Sequence, residues 1–235
     1  MFLPLHDTNP LRHVLRPYVT WTLIAVTCLI HVAVNYGAVE GVAQAVSVSF
    51  GVIPSVVEGS RRLPAIYEIV PAPLTLVTYA FLHGDFMHLL GNMLFLWVFG
   101  DNVEDAFGHV RFLLFYLVAA AFAAIVHIAT HPTSGLPLIG ASGAIAAIVA
   151  AYLLLHPHVK LWVLALGRIP LSIPAWVALG AWIAFQFYNV AIQPDDTVAW
   201  WAHVGGLIAG AILVLVFRRP GVMLLDRQPK LDIPA

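Results

Sequence analysis

The chain has 235 residues, of which 61% are hydrophobic and only 10% are charged, whereas about 25% charged residues are usual in a soluble domain. Its mean hydropathy is +0.90. These values exclude an ordinary soluble domain and indicate a protein embedded in a lipid bilayer. A formal net charge of −1 gives no indication of nucleic-acid binding. Cys28 is the single cysteine, so an intrachain disulfide is excluded.

The first residues, 1–17, contain Arg12 and Arg16 but no small-residue cleavage site after the first apolar stretch. They predict a retained cytoplasmic segment, not a signal peptide. A membrane-spanning helix needs about 20 mainly apolar residues. Six segments qualify, at about Tyr18 to Tyr36, Phe86 to Phe107, Val110 to Thr130, Ser142 to His156, Ile173 to Val190 and Trp200 to Phe217. We therefore predict an all-α membrane protein with six transmembrane helices over residues 18–217 and a cytoplasmic tail over 218–235.

The fourth and sixth segments are short and rich in small residues. Gly206 and Gly210 lie one turn apart on a helix, and Gly143, Ala147 and Ala151 form a similar row. Small side chains let helix backbones approach in a membrane, so these two segments are expected to touch. A row of small residues is common in membrane helices, and by itself it does not exclude two merely alanine-rich helices.

Basic residues near the span ends predict the orientation. With six spans one side collects nine of them: Arg12, Arg16, Arg111, Lys160, Arg168, Arg218, Arg219, Arg227 and Lys230. Only Arg61 and Arg62 fall on the other side. Both termini are therefore predicted to be cytoplasmic, in the plasma membrane of a bacterium. The acidic loop 193–197 and the long segment of about 37–75 are predicted outside, the latter partly in the membrane interface.

Ser142 and His203 begin the fourth and sixth segments. Each lies 14 residues before the inner end of its segment, at His156 and Phe217, which corresponds to about 21 Å of helix. In this topology both segments run from outside to inside, so the two side chains are expected at one depth, within about 10 Å of the outer face of the hydrocarbon core. A polar group at that depth is costly unless it has a partner.

The second segment brings further polar residues to the same level. His88 and Asn92 are about 40° apart around a helix and form one polar stripe, whereas His83 lies about 140° from His88 if the helix includes it. Hydrogen bonding between helices explains one such residue. Two on one stripe, level with Ser142 and His203, favour a functional site.

A serine hydroxyl needs a base within hydrogen-bond reach, and His203 is the candidate. Attack on an amide creates an oxyanion that needs donors. The backbone N–H of Ser142 at a helix start, with the side chains of His88 and Asn92, could supply them. Gly140 and Gly143 would allow close approach of backbone and substrate. Because no acidic residue is placed to orient His203, the sequence predicts a Ser-His dyad.

These residues resemble the rhomboid family of intramembrane serine proteases. The resemblance covers about Leu74 to Phe217, and three motifs carry it. They are His83, His88 and Asn92; Gly140, Ser142 and Gly143; and Ala202, His203, Gly206 and Gly210. Three motifs in order at span starts are specific, whereas each alone would be weak.

The resemblance implies a six-helix bundle with Ser142 as nucleophile, His203 as general base and an oxyanion site formed by the Ser142 N–H with His88 and Asn92. His83 and the four motif glycines, Gly140, Gly143, Gly206 and Gly210, would be supporting residues. It also implies substrates that are single-span membrane proteins, cut within or beside the span through an acyl-enzyme. The family uses no metal and no cofactor.

Two departures from the family pattern concern neighbours of the site. Many members carry Trp-Arg before the second span, where this chain has Leu74-Thr75, so the anchoring of the outer loop is open. Some members carry an aromatic residue one turn after the serine, where this chain has Ala146. His203 would then be held by other neighbours, with Trp200 or Trp201 as candidates.

Three other functions are compatible with parts of the pattern. A zinc hydrolase could use His83, His88 and His203, although the spacing is not that of a His-Glu-x-x-His site and no carboxylate accompanies them. An inactive rhomboid-like protein would bind membrane clients without cutting them, although the serine and histidine are both present. A transporter is disfavoured because the spans show no obvious repeat and few charges.

Other polar residues in apolar surroundings receive structural interpretations. His31 and His127 lie inside spans and are predicted to be buried and hydrogen-bonded. Four charged residues between the second and third spans are predicted to form a solvated inner turn: Asp101, Glu104, Asp105 and Arg111.

Overall fold

The computed structural model describes residues 2–37, 41–165, 167–192 and 198–226. Over these ranges the chain forms nine α-helices: α1 (Tyr18–Asn35), α2 (Val42–Phe50), α3 (Pro54–Val57), α4 (Ala72–Thr78), α5 (Phe86–Phe107), α6 (His109–Thr130), α7 (Ser142–Leu155), α8 (Ala175–Ile192) and α9 (Trp200–Phe217). It also forms two 3-10 helices, Ala65–Tyr67 and Tyr79–Phe81, and three strands, β1 (Phe2–Asp7), β2 (Lys160–Ala165) and β3 (Ile169–Pro174).

Four of these helices are long and apolar enough to cross a membrane: α1, α6, α8 and α9. The predicted all-α membrane bundle is confirmed in its class. Helices also form at the other two predicted segments, α5 and α7. However, α5 ends in acidic residues, and α7 has only 14 residues, about 21 Å against a hydrocarbon core of about 30 Å. The count of six spans therefore stays a prediction.

The short helix α7 lies in the middle of the bundle, and α5, α6 and α9 pack around it. Nearly all of its residues are buried, from Gly143 through Tyr152 and at Leu155. A helix that is apolar all round, as α7 is, suits a position enclosed by other helices. Its first residue, Ser142, is thereby held on a rigid central element.

Helices α7 and α9 pack backbone to backbone, as the sequence predicts. A methyl group built on Gly206 would overlap the carbonyl oxygen of Gly143, and one on Gly210 would overlap the backbone of Ala147. Glycine at both positions removes the side chain that would separate the two helices. This contact fixes the starts of α7 and α9 side by side.

A small antiparallel sheet, in the order β1-β2-β3, lies at the end of the bundle away from Ser142 and was not predicted from the sequence. Leu3 of β1 pairs with Leu164 of β2, and Val163 pairs with Leu171 of β3. Leu161 of β2 is fully buried in the hydrophobic core. The sheet therefore ties the segment before α1 to the connection between α7 and α8.

The prediction of a solvated inner turn is wrong for Glu104 and Asp105, although Arg111 is exposed as predicted. Glu104 is 0% exposed and accepts hydrogen bonds from the N–H groups of Val19 and Thr20, at 2.9 and 2.7 Å. Those N–H groups begin α1 and have no acceptor within their own helix. The carboxylate is buried because it satisfies them.

The burial of Asp105 has the same cause. It accepts hydrogen bonds from the backbone N–H groups of Arg12, His13 and Val14, at 3.0, 2.6 and 2.7 Å. A carboxylate with several N–H donors is stabilised in its charged form despite burial. The two acidic residues of α5 thus hold the chain that enters α1.

The segment from α2 to α4 is anchored by backbone hydrogen bonds to the loop before α7. The N–H of Val52 donates to the carbonyl of Leu138 at 3.0 Å, and the N–H of Leu138 donates back at 2.7 Å. The hydroxyl of Thr78 donates to the carbonyl of Phe50 at 2.6 Å. The segment is therefore fixed in a chain that carries Leu74-Thr75 in place of Trp-Arg.

The two histidines inside spans differ. His31 is buried and its Nδ1 lies 3.1 Å from Nδ2 of Asn35, so the prediction is confirmed at Nδ1, whereas its Nε2 has no hydrogen-bond partner among the residues described. His127 is only half-buried and stacks on His131, with ring centroids 4.9 Å apart. Its Nδ1 has no hydrogen-bond partner among the residues described, so the prediction for His127 is wrong at that atom.

Candidate active site

The candidate site is assembled from the starts of three helices. Ser142 is the first residue of α7 and His203 lies in the first turn of α9, while His88 and Asn92 lie in the first two turns of α5. At a helix start the backbone N–H groups have no acceptor within the helix and carry the positive end of its dipole. The Ser142 N–H belongs to this class of donor.

Gly140 lets the His88 ring lie against the backbone that leads into Ser142. Its φ is +121°, a left-handed value that favours glycine. A Cβ at this position would lie 2.7 Å from both Cε1 and Nε2 of His88. The N–H of Gly140 donates to the carbonyl of Tyr79 at 3.0 Å, and this hydrogen bond holds the turn in place.

His83 supports the same turn from the other side. The side chain is 4% exposed, and its Nε2 accepts a long hydrogen bond, 3.4 Å, from the backbone N–H of Ala141. Its ring meets the ring of His88 edge to face, with centroids 5.0 Å apart. His83 therefore contacts the residue before Ser142 and does not share a polar stripe with His88.

Asp85 was not singled out in the sequence, although it caps α5. Its carboxylate accepts the backbone N–H of His88 at 2.9 Å, and this hydrogen bond is the main cause that lowers the pKa of Asp85. An aspartate just before an apolar helix is the signal that could have identified the cap. The cap fixes where the helix starts, and hence the direction of His88.

Asn92 is 7% exposed, and its Nδ2 is buried with no hydrogen-bond partner among the residues described. A buried amide group without a partner costs free energy, about 1–3 kcal/mol. It lies on the same helix face as His88, one turn further in. The site thus contains a donor that nothing in the described protein uses.

The starts of α7 and α9 are in direct contact. A Cβ on Gly143 would lie 3.4 Å from the carbonyl oxygen of Ala202 and 2.6 Å from Cβ of Ala123. Gly143 follows Ser142, and Ala202 precedes His203. The equal depth expected for the serine and the histidine agrees with this contact.

Side chains of Gln186 and Trp200 lie against the ring of His203. Its Nδ1 is 2.8 Å from Oε1 of Gln186 on α8, a residue that the sequence analysis missed. The ring of Trp200, one of the two tryptophans considered, meets it edge to face with centroids 5.7 Å apart. A lone glutamine in an apolar span is the signal that could have identified Gln186, since such a residue needs a partner.

The zinc-site alternative lacks a ligand set in the structure. Among the described ranges, no group of three His, Cys, Asp or Glu side chains could hold a metal ion. His83, His88 and His203 therefore do not form a metal site by their geometry.

Comparison with known proteins identifies the family of the chain. The family model described as the Rhomboid domain matches residues 72–220. Rhomboid protein 1, mitochondrial, of Saccharomyces cerevisiae is 29% identical over 149 residues, 62% of this chain and 42% of the relative. Presenilin-associated rhomboid-like protein A, mitochondrial, of Danio rerio is 30% identical over 146 residues, 58% of this chain and 36% of the relative. The chain thus spans less than half of these relatives. Because the model covers more than half of the chain, the protein belongs to the rhomboid family of intramembrane serine proteases.

Proposed function

We propose that the protein is an active intramembrane serine endopeptidase that cuts single-span membrane proteins within or beside their transmembrane segment. Ser142 is the nucleophile and His203 the general base. The observation that carries the proposal is the amide donor of Asn92, which no described residue accepts and which lies one turn along α5 from His88, whose ring lies against Gly140. A buried donor without a partner is what a charge that develops only during the reaction requires.

The reaction follows from these roles. The Ser142 oxygen attacks the peptide carbonyl while Nε2 of His203 takes the hydroxyl proton, and the carbonyl oxygen becomes an oxyanion. The N–H of Ser142 and the side chains of His88 and Asn92 donate to that oxygen. The intermediate collapses, the C–N bond breaks, and the imidazolium protonates the leaving amine. Water, deprotonated by His203, then hydrolyses the acyl-enzyme.

The supporting residues hold this geometry. Gly140 admits the His88 ring, and His83 holds the turn at Ala141. Gly206 and Gly210 admit α7 against α9. None of these roles requires a metal or a cofactor, so the proposed mechanism uses only side chains, backbone N–H groups and water.

The test is cleavage of a single-span substrate by purified protein in detergent or nanodiscs. We expect turnover by the native chain and none by Ser142→Ala or His203→Ala, with unchanged thermal unfolding. Ser172→Ala on β3 is the control serine, since it lies in the exposed strand at the opposite end of the bundle. Cleavage by Ser142→Ala would overturn the mechanism. A folded native chain that bound such segments without cutting any would instead indicate the inactive, client-binding function.

We also propose that both termini face the cytoplasm, in the plasma membrane of a bacterium, with the site open to the outer side. The names of the relatives describe mitochondrial proteins, and that location is theirs. The support for the orientation is the excess of basic residues at one set of span ends. In a Cys28→Ser background, a membrane-impermeant maleimide should label Ser60→Cys but not Thr8→Cys in intact cells. Labelling of Thr8→Cys alone would reverse the orientation.

A further inference from the structure

The side-chain amide of Gln186 is buried between α8 and the candidate base. Gln186 is 2% exposed, and among the described residues it has polar contacts with Trp182 and His203. Its Nε2 donates to the backbone carbonyl of Trp182 at 3.1 Å, and its Oε1 lies 2.8 Å from Nδ1 of His203. The two contacts use opposite ends of one planar amide.

The chemistry of these partners fixes where the protons lie. A backbone carbonyl only accepts, so the Gln186 end facing Trp182 is the NH₂ group. The end facing His203 is then the carbonyl oxygen, which also only accepts. Nδ1 of His203 must therefore carry a hydrogen, and Nε2, the other ring nitrogen, is left as an acceptor.

We infer that Gln186 is a positioning residue that holds His203 in the tautomer with Nδ1 protonated, so that Nε2 is the base for Ser142. The inference deepens the proposed function and rests on it. In soluble serine proteases a buried aspartate has this role, and an asparagine in its place drops kcat by about 10⁴ because the tautomer is wrong. Here the NH₂ group of Gln186 already donates to the carbonyl of Trp182, so the carbonyl oxygen of Gln186 faces His203 and the amide can hold the correct tautomer.

Small side chains explain why α8 can approach the site. Ala146, one turn after Ser142, and Ala150, one turn further, are buried and pack with Leu207 of α9. Trp182 and Ile183 of α8 pack on this cluster. With an aromatic residue at position 146, the approach of α8 would be obstructed. The alanine that departs from part of the family thus makes room for the helix that carries Gln186.

A neutral amide also suits the surroundings. A carboxylate at this depth would be an extra charge in the membrane, which is costly unless paired. Gln186 supplies the acceptor without that charge. The edge of Trp200 limits the ring of His203 from another side. Together the two residues restrict both the position of the ring and the place of its proton.

Gln186→Leu is the decisive variant, because leucine has a similar bulk but no acceptor. We expect kcat to fall by about 10²-fold with KM changed less than twofold. Gln186→Glu retains an acceptor oxygen at the same place and should keep at least a tenth of the native kcat. Its carboxylate favours the protonated imidazole, so the acid limb of kcat/KM should move to higher pH.

Asn189→Leu is the matched control. Asn189 is a second buried amide on α8, and its Nδ2 donates to the carbonyl of Phe185 at 2.7 Å, the same type of contact one turn back. It has no part in the proposed mechanism. We expect Asn189→Leu to retain native kcat. An equal loss in both leucine variants would indicate a general disturbance of α8 and would overturn the inference.

A spectroscopic measurement tests the tautomer without any turnover. In ¹⁵N-histidine-labelled protein, with His203 assigned by comparison with His203→Ala, we expect protonated Nδ1 and unprotonated Nε2 in the neutral native ring. Gln186→Leu should give a mixture of tautomers. An Nε2-protonated native ring would overturn the inference even in an active protease. Cleavage by Ser142→Ala would instead remove the proposed function and leave the tautomer result standing.

Discussion

Gly206 of α9 lies against the carbonyl oxygen of Gly143 on α7, so close that a methyl group at position 206 would overlap that oxygen. The obstacle is backbone, which cannot move aside as a flexible side chain would. Close contact of the two helices holds the serine and histidine segments together. Any side chain at position 206 must push α7 and α9 apart.

Gly206→Ala should therefore lower both stability and activity. We expect the free energy of unfolding to fall by about 1–3 kcal/mol, as for overpacked cores, and cleavage to fall at least tenfold. Thermal unfolding and cleavage of a single-span substrate measure these effects. Gly180→Ala is the control, because a Cβ there meets nothing within 4 Å. Native activity in Gly206→Ala would contradict the role of the contact.

Asn92→Ala should leave the fold intact and slow the reaction. The Nδ2 donor is buried without a partner among the described residues, so its removal costs no hydrogen bond within the protein. We expect kcat to fall by about 10²–10³ with KM little changed, because the missing donor acts on the oxyanion. Steady-state kinetics in nanodiscs, with the thermal unfolding curve of each variant, is the measurement. A variant with native kcat would remove Asn92 from the oxyanion site.

Counting residues along the spans was enough to predict much of the bundle and the meeting of two helix starts. Ser142 and His203 lie at the starts of two segments of equal length, so counting residues predicts that these starts lie at one level, and the structure places them side by side. The contact of α7 with α9 follows from the small residues that allow it. These features depend on periodicity and spacing, which the sequence contains directly.

The spacing of residues along the chain does not determine how one helix is rotated against another, or which distant segments are in contact. Gln186 was missed because its partner depends on how α8 is turned toward α9. The sheet was missed because β1 pairs with β2, about 160 residues away in the chain. Glu104 was misplaced for the same reason: its donors, Val19 and Thr20, lie 85 and 84 residues before it.

Glu104→Ala tests the buried carboxylate that begins α1. The side chain accepts hydrogen bonds from the N–H groups of Val19 and Thr20, the hydroxyl of Thr20 and, at 2.5 Å, Nδ1 of His109. Removal leaves these donors unpaired, and we expect the free energy of unfolding to fall by about 3 kcal/mol or more. Glu104→Gln keeps an acceptor oxygen and should lose less stability than Glu104→Ala. Glu58→Ala, an exposed carboxylate, should unfold like the native protein in thermal scans. Equal unfolding of the Glu104 and Glu58 alanine variants would show that the hydrogen bonds contribute nothing.

Asp7 should make the stability of the folded protein depend on pH. The carboxyl lies in β1 and accepts hydrogen bonds from the hydroxyl of Tyr152 at 2.6 Å and from Nδ2 of Asn102 at 2.9 Å. Burial raises its pKa above the ordinary value of 3.8, although the Tyr152 bond opposes the shift. A carboxyl whose pKa is raised by folding stabilises the native state fully below its unfolded pKa, and this contribution is lost as pH rises through the folded pKa.

Native protein should consequently lose stability relative to Asp7→Asn as pH rises above the ordinary carboxyl pKa of 3.8. The neutral amide does not titrate, so the difference between the two unfolding curves reports the titration of Asp7 together with its electrostatic effect on nearby Asp101. Thermal unfolding in detergent at several pH values measures it. Glu58→Gln, which changes an exposed carboxylate, should run parallel to the native protein. If the native protein and Asp7→Asn lost stability in parallel as pH changed, the folded pKa of Asp7 would not be raised. If the native protein instead lost stability relative to Asp7→Asn toward low pH, the hydrogen bonds to the carboxylate would outweigh its burial.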